Sequence, residues 1–444
     1  MNRPVHERGV AVLVVLVVLA IGALAGTVAL LAARSAGEAT ASTAGRLQSR
    51  LTMRSGMLAI EQAALDQRAD VLAGAEFVID DPIELFEEGN RTATFRLDAT
   101  ITPDAVSLDA LLDVNTCTAS MLAKLPGMDE TLGAAVAAVL PVRSLRELLD
   151  AEGVTVELVF GEYDELGQLT SDTIPLASLL TVGSVDPAIA VGVGGAAALA
   201  ERVDVSQPFD EQMGERLTAS LGRQEGSGQL VAVLSQRDTP PASLVEVARA
   251  LRGQMTLATT GQVLDLVCIG SGPSRGRVDI NRAPLEVLAA LPGLDEETAQ
   301  QIVDARRSLR PEELKDPLWP LREGLVDEDT MLEVLERVTT RSVRWVLRAE
   351  AGMAAVRERS VGIDSLEDAQ RARAGMASAD EDRLRDRVAM DLLVDFSGPR
   401  PVVVPLGEVS IAGELTAVAR VLALADGPMD ELPGPERDGR EVLP

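Results

Sequence analysis

Histidine is almost missing from this 444-residue chain: there is one, His6. Its position five residues from the start leaves the rest without an imidazole. That excludes Ser-His-Asp and Cys-His catalysis and His-based zinc sites together. Cysteine is nearly as scarce, with Cys117 and Cys268 only, far apart and in no CxxC motif. An oxidising compartment permits a disulfide between them, and two free thiols fit the sequence equally well. Aromatic residues make up 2 %, so Leu, Val and Ala must fill the cores. Positive charge is in deficit: 41 Lys and Arg face 69 Asp and Glu, a net charge of −28. Such a surface repels phosphate backbones and anionic lipid. No EF-hand spacing or GxGxxG loop is present; the run GVGGAAA near residue 195 has no lysine and reads as a linker.

The chain does contain one long uncharged run, Val10 to Ala33. As a helix it spans a ~30 Å hydrocarbon core and is too long for a secretory h-region. A short polar segment carrying Arg3 and Arg8 precedes it, which places the N-terminus on the cytoplasmic side and the remainder across the membrane. The segment 1–9 reads as a leader cut between Gly9 and Val10, leaving the apolar helix on the mature protein. Beyond the membrane Leu47, Leu51, Leu58 and Leu65 recur at spacings of four and seven. They continue the helix with one apolar stripe. Such a stripe normally packs on its own domain; packing on neighbouring subunits is its second use.

Strand character follows at Glu76–Ile79 and Thr92–Ile101. It returns late, where Val343, Trp345 and Leu347 alternate with Arg344 and Arg348, and again at Val388–Val394. A Ser397-Gly398-Pro399 turn leads into Val402–Val404. Long helix first, small antiparallel sheet last and a large, mainly helical insert between them predict an α+β fold. The insert carries a repeat. Asp113-Val114-Asn115 and Leu125-Pro126-Gly127-Met128-Asp129-Glu130 correspond, without a gap, to Asp279-Ile280-Asn281 and Leu291-Pro292-Gly293-Leu294-Asp295-Glu296. Each copy reads as helix, tight turn, helix: a helix-hairpin-helix (SAM-like) unit, with Asn115 and Asn281 as helix caps and the glycines making the turns. Hairpins of this kind often bind duplex backbones through bare turn amides. Here an Asp-Glu pair stands where a phosphate would dock, so no nucleic acid is expected as a partner.

A leader ending in Arg8-Gly9, an apolar helix starting Val10-Ala11-Val12 and the Asn-x-x-Pro and Leu-Pro-Gly hairpin unit resemble, in this order, one family. It is the K-type minor pseudopilin of type II secretion systems (general secretion pathway protein K). The resemblance covers the first ~70 residues, the second hairpin unit through Ser342 and the strands after it. It implies a pilin-like α+β domain with a helical insert and a place at the pseudopilus tip. Its implied partners are the other minor pseudopilins, the major pseudopilin, the prepilin peptidase and the inner membrane. The role is assembly rather than catalysis, with leader cleavage and methylation as processing. Most pilin-like subunits carry Glu at the fifth mature position; here it is Val14, and the K-type subunit characteristically lacks that Glu. The family's calcium sites make calcium a possible cofactor, though no ligand set maps onto this chain. The expected organisation is leader 1–9, transmembrane helix 10–33, pilin-like helix and first strands 34–110, first hairpin unit and glycine-rich middle 111–275, second hairpin unit 276–340, returning strands 341–425 and a disordered tail 426–444. The alternative from another class is a membrane-tethered DNA-binding protein of the competence-receptor type.

Overall fold

The computed structural model describes residues 6–79, 82–88, 91–97, 106–162, 170, 173–187, 189–191, 199–221, 227–355 and 384–409, with side chains from Val15 onward. The side chain of Val14, the GVGGAAA run and the expected tail lie outside what is described. Residues His6–Leu72 form one uninterrupted helix, α1. No proline falls within it, and alanine and leucine dominate, so nothing breaks the hydrogen-bond ladder. It stops at Gly74, whose φ of +94° only glycine adopts without strain, and the Gly74 amide donates to the Val71 carbonyl at 2.9 Å. From Val15 on, α1 is the helix long and apolar enough to cross a membrane among the described residues, with a mean hydropathy of 2.7 in its most apolar stretch and none of that stretch buried.

The chain continues through strands β1 (Ile83–Glu88), β2 (Arg91–Leu97) and β3 (Val106–Ser107), then β4 (Leu112–Asp113). Helices α2 (Ala119–Leu122), α3 (Glu130–Val139) and α4 (Val156–Phe160) lead to β5 (Leu180–Thr181) and the hairpin β6 (Ile189–Val191) with β7 (Leu199–Glu201). Next come β8 (Val203–Asp204), helices α5 (Glu211–Leu221), α6 (Ser227–Ser235), α7 (Leu244–Leu251) and α8 (Leu257–Leu266), and β9 (Val267–Cys268). The last helical stretch runs from β10 (Val278–Asp279) through α9 (Leu285–Ala290), α10 (Glu296–Ser308), α11 (Trp319–Arg322) and α12 (Glu328–Val334) to β11 (Val338–Thr339). Strands β12 (Arg344–Ala355), β13 (Arg385–Asp395) and β14 (Val402–Val409) close the fold. The main sheet has the order β1-β2-β12-β13-β14, with β3 also beside β12. Within it β1 and β2, β3 and β12, and β13 and β14 pair antiparallel. The fold is thus α+β, with a long N-terminal apolar helix and a small sheet. One expectation needs correction. Residues 76–79 form no strand; the first strand is Ile83–Glu88. Within the glycine-rich middle, Ser227 and Gly228 begin α6.

Two compact units divide the chain. The first comprises Met1–Gly56, Pro82–Arg96 and Glu350–Val388. In it α1 approaches the sheet so closely that a Cβ on Gly56 would lie 2.0 Å from the Phe95 ring, and Phe95 is fully buried. Glu350 on β12 is buried between Arg96 and Arg387, at 3.1 and 2.6 Å. The second unit comprises Met57–Asp81, Leu97–Ala349 and Ala389–Pro444, and holds a continuous apolar core around Leu122, Leu148, Val247, Leu288, Ile302 and Trp319. There Arg348 of β12 meets Asp391 of β13 through two bonds of 2.7 and 2.9 Å, both side chains buried. The charged face of β12 is therefore internal, where alternation alone would place it in solvent.

The leucine stripe is not the face that α1 buries. Ser49, Thr52, Met53, Ile60 and Ala64 are buried, whereas Leu47, Leu51, Leu58 and Leu65 are 60, 51, 63 and 41 % exposed. The reading that the stripe packs on its own domain is corrected. The face that α1 buries includes Gly56, where the Phe95 ring leaves no room for a side chain, together with the large Met53 and Ile60, while the leucine stripe faces outward.

Candidate functional site

Among the described residues of the second compact unit, three tandem structural units carry the helices, and the two helix-hairpin-helix copies lie in the first and third. Each opens on the same step: Leu112-Asp113-Val114-Asn115, Val203-Asp204-Val205-Ser206 and Val278-Asp279-Ile280-Asn281. In each the aspartate accepts from the amide two residues on: Asn115, Ser206 and Asn281 donate at 3.1, 2.9 and 2.9 Å. Helices follow, and the chain returns to lay a short parallel strand against the opening one, β4 with β5, β8 with β9, β10 with β11, in the same register: Asp113 opposite Thr181, Asp204 opposite Cys268, Asp279 opposite Thr339. Ser184 and Ser342, just past the first and third returning strands, donate back to Asp113 and Asp279 at 3.3 and 2.5 Å. In the middle unit the Gly270 amide does this to Asp204 at 3.0 Å. Sequence reading missed the middle unit because it lacks Leu-Pro-Gly and has Ser206 for Asn. The signal it offered was Val267-Cys268-Ile269-Gly270-Ser271 against Leu180-Thr181-Val182-Gly183-Ser184.

The two turns expected from Leu125-Pro126-Gly127 and Leu291-Pro292-Gly293 join α2 to α3 and α9 to α10. Gly127 and Gly293 have φ of +75° and +71°, the left-handed region a non-glycine residue resists. Asn115 and Asn281 cap neither following helix, which corrects the sequence expectation. A tight turn places each asparagine ahead of its helix: Thr118 caps α2 by accepting from Met121, and Pro284 precedes α9 without a side-chain cap. The asparagines fasten the main chain instead. Asn115 donates to the Val142 carbonyl at 2.8 Å and accepts from the Val142 amide at 2.7 Å. Asn281 donates to Leu314 and Thr340 carbonyls and accepts from the Trp319 indole at 3.0 Å. The residues that do cap are Asp129 and Asp295, each accepting at 2.8 Å from the amide three residues on, Leu132 and Thr298. The bond from Thr298 holds the Asp295 carboxyl below its ordinary value. A carboxylate thus already occupies one first-turn amide of each second hairpin helix, α3 and α10.

Buried charges lock the units together. Asp186 accepts from Arg202 and Arg277 at 2.5 and 2.9 Å; burial pushes its carboxyl up, but the two guanidinium groups outweigh it and hold it at about 2. Asp265 bonds Arg202 at 3.2 Å and also Arg341, whose own value burial lowers to about 9. Asp109, fully buried, accepts from the amides of Val185, Val343 and Arg344 at 2.9, 2.6 and 3.0 Å. Burial raises it to about 7. Cys117 and Cys268 are free and half-buried, so the possible disulfide is not formed; their thiols donate to the Asp113 and Gly270 carbonyls. Burial pushes the Cys117 thiol up to about 12 and raises Cys268. Among the described residues no three His, Cys, Asp or Glu side chains gather where they could hold a metal ion.

A cleft of about 1000 Å³ opens beside the third unit. Asn281, Arg282, Pro311 and Lys315 line one side, and Asp70, Gly74 and Trp345 the other. Arg282 bonds Asp279 at 2.8 Å and the Gly74 carbonyl at 3.0 Å, and lies 5.2 Å from the Trp345 ring centre, a cation–π contact. Its guanidinium thereby ties the start of the unit to the C-terminal end of α1. The segment that builds this wall decides the comparison with known proteins. Residues 278–316 match the family model of Type II secretion system (T2SS), protein K. The match runs from β10 through both helices of the last hairpin to Asp316, and it includes Asn281, Arg282, Leu291, Pro292 and Gly293. No curated protein matches the chain.

Proposed function

We propose that this protein is a minor pseudopilin of a type II secretion system, anchored in the inner membrane with its N-terminus cytoplasmic and its bulk periplasmic. It acts by assembly, initiating or capping the pseudopilus tip, and catalyses nothing. The observation that carries this reading is the outward leucine face of α1. Leu47, Leu51, Leu58 and Leu65 continue, past membrane length, the exposed apolar surface of Val15–Leu31. Large apolar side chains on one side of a long helix imply partner helices along it. Other minor pseudopilins and the major pseudopilin supply such helices. The protein K match at 278–316 supports the same class. Val14 at the fifth mature position, where a subunit with another above it would use Glu, supports the tip. The test is export of a cargo protein from a strain whose only copy carries Leu51→Glu with Leu58→Glu. Export falls while thermal unfolding of the purified chain is unchanged, because neither leucine is buried; full export overturns the reading.

A further inference from the structure

The ammonium of Lys124 enters the turn of the other hairpin. Lys124 belongs to the first hairpin, directly before Leu125-Pro126-Gly127, at the position where the second hairpin has Ala290. Its Nζ donates to the carbonyls of Ala289, Leu291 and Leu294 at 3.1, 3.0 and 3.0 Å. An ammonium has three donors, and here each has a separate main-chain acceptor. The three oxygens converge because Gly293, at φ +71°, folds the chain back between Leu291 and Leu294. Ala289 lies in the last turn of α9, the negative end of its dipole. Asp295 stands near enough for the ammonium to lower its carboxyl further.

We infer that the carbonyls of Ala289, Leu291 and Leu294 form a binding site for a compact monovalent cation, filled in the native chain by its own lysine. Converging carbonyl oxygens replace the hydration shell of such an ion as they satisfy an ammonium. Nothing in the site demands a tethered cation: the ligands are main-chain atoms held by the Leu-Pro-Gly turn, and they persist when the side chain of Lys124 is removed. The site therefore accepts free ammonium or potassium once Lys124 is gone. In the native protein the tethered cation fixes the first hairpin to the second and makes their docking independent of ionic composition.

Thermal unfolding of the full-length chain in detergent tests this. The parent, Lys124→Ala and Lys124→Met are compared in choline, potassium and ammonium chloride at equal ionic strength, choline being too large to enter. In choline both variants unfold several degrees below the parent. Potassium or ammonium restores at least half of that difference in a saturable manner, while the parent behaves alike in all three salts. Equal midpoints for the variants in the three salts overturn the proposal. A cation preference equally strong in the parent overturns it too, since the effect then lies elsewhere. A variant that folds in ammonium but not in choline supports it, and one that folds in none of the salts contradicts it.

Discussion

Replacing Gly56 with alanine destabilises the protein, although alanine is the better helix former. In an open helix position this exchange gains about 1 kcal/mol. At Gly37 on the same helix an added methyl would meet nothing within 4 Å, so that gain is available there. At Gly56 the new methyl lies 2.0 Å from Phe95 Cδ2, 2.3 Å from Cγ and 2.7 Å from Cε2. Phe95 is fully buried, paired through β2 with β1, and its ring is no flexible end that can swing away. Overpacking a filled core typically costs ~1–3 kcal/mol, and this overlap falls at the upper end, so the net is a loss of about 1–2 kcal/mol. Gly56→Val, larger and β-branched, loses more. The assay is thermal or denaturant unfolding of the full chain in detergent, with Gly56→Ala, Gly37→Ala and the double variant Gly56→Ala with Phe95→Leu. Part of the loss returns in the double variant, because leucine is smaller. A midpoint for Gly56→Ala at or above the parent's shows that α1 and the sheet do not approach as described, and refutes the reasoning.

Asp109 makes stability fall as pH rises. Its carboxyl goes from an ordinary value of 3.8 to about 7 when buried, so the folded chain holds a proton that the unfolded chain releases. The contribution is full below about pH 4 and is lost as pH passes about 7, up to ~4 kcal/mol by linkage. Asp109→Asn cannot ionise and loses this slope; a parent–variant difference in unfolding free energy that stays constant from about pH 4.5 to 7.5 refutes it. Val14→Glu puts a carboxylate into hydrocarbon at a cost of ~2.5–3.5 kcal/mol near a helix centre. Cargo export falls for Val14→Glu and not for Val14→Leu; equal export by both leaves the tip position without support.

Much of the architecture was legible because it rests on strong local signals. The uncharged run made α1, Leu-Pro-Gly with positive-φ glycines made two hairpin turns, and alternation around Trp345 and Leu392 made β12 and β13. What was misread followed from tertiary context. Ser49, Thr52, Met53 and Gly56 do not look like a core face, yet they are buried, and at Gly56 the Phe95 ring occupies the place of a side chain. Alternation gave no sign that Arg348 and Glu350 are buried, because the ion pairs with Asp391, Arg96 and Arg387 that bury them join distant segments. Asn115 and Asn281 have the chemistry of caps but lie before the helix, where their amides bond carbonyls distant in sequence. The middle unit was hidden because only its Asp204 turn and its returning strand persist; its helices follow a different sequence.

Export in a strain lacking this chain tests the central claim most directly. A known type II cargo is assayed in medium and periplasm, in the deletion strain and after return of the full chain. The account predicts that deletion empties the medium of cargo, retains it in the periplasm, and that the returned chain restores export. Unchanged export in the deletion strain contradicts it.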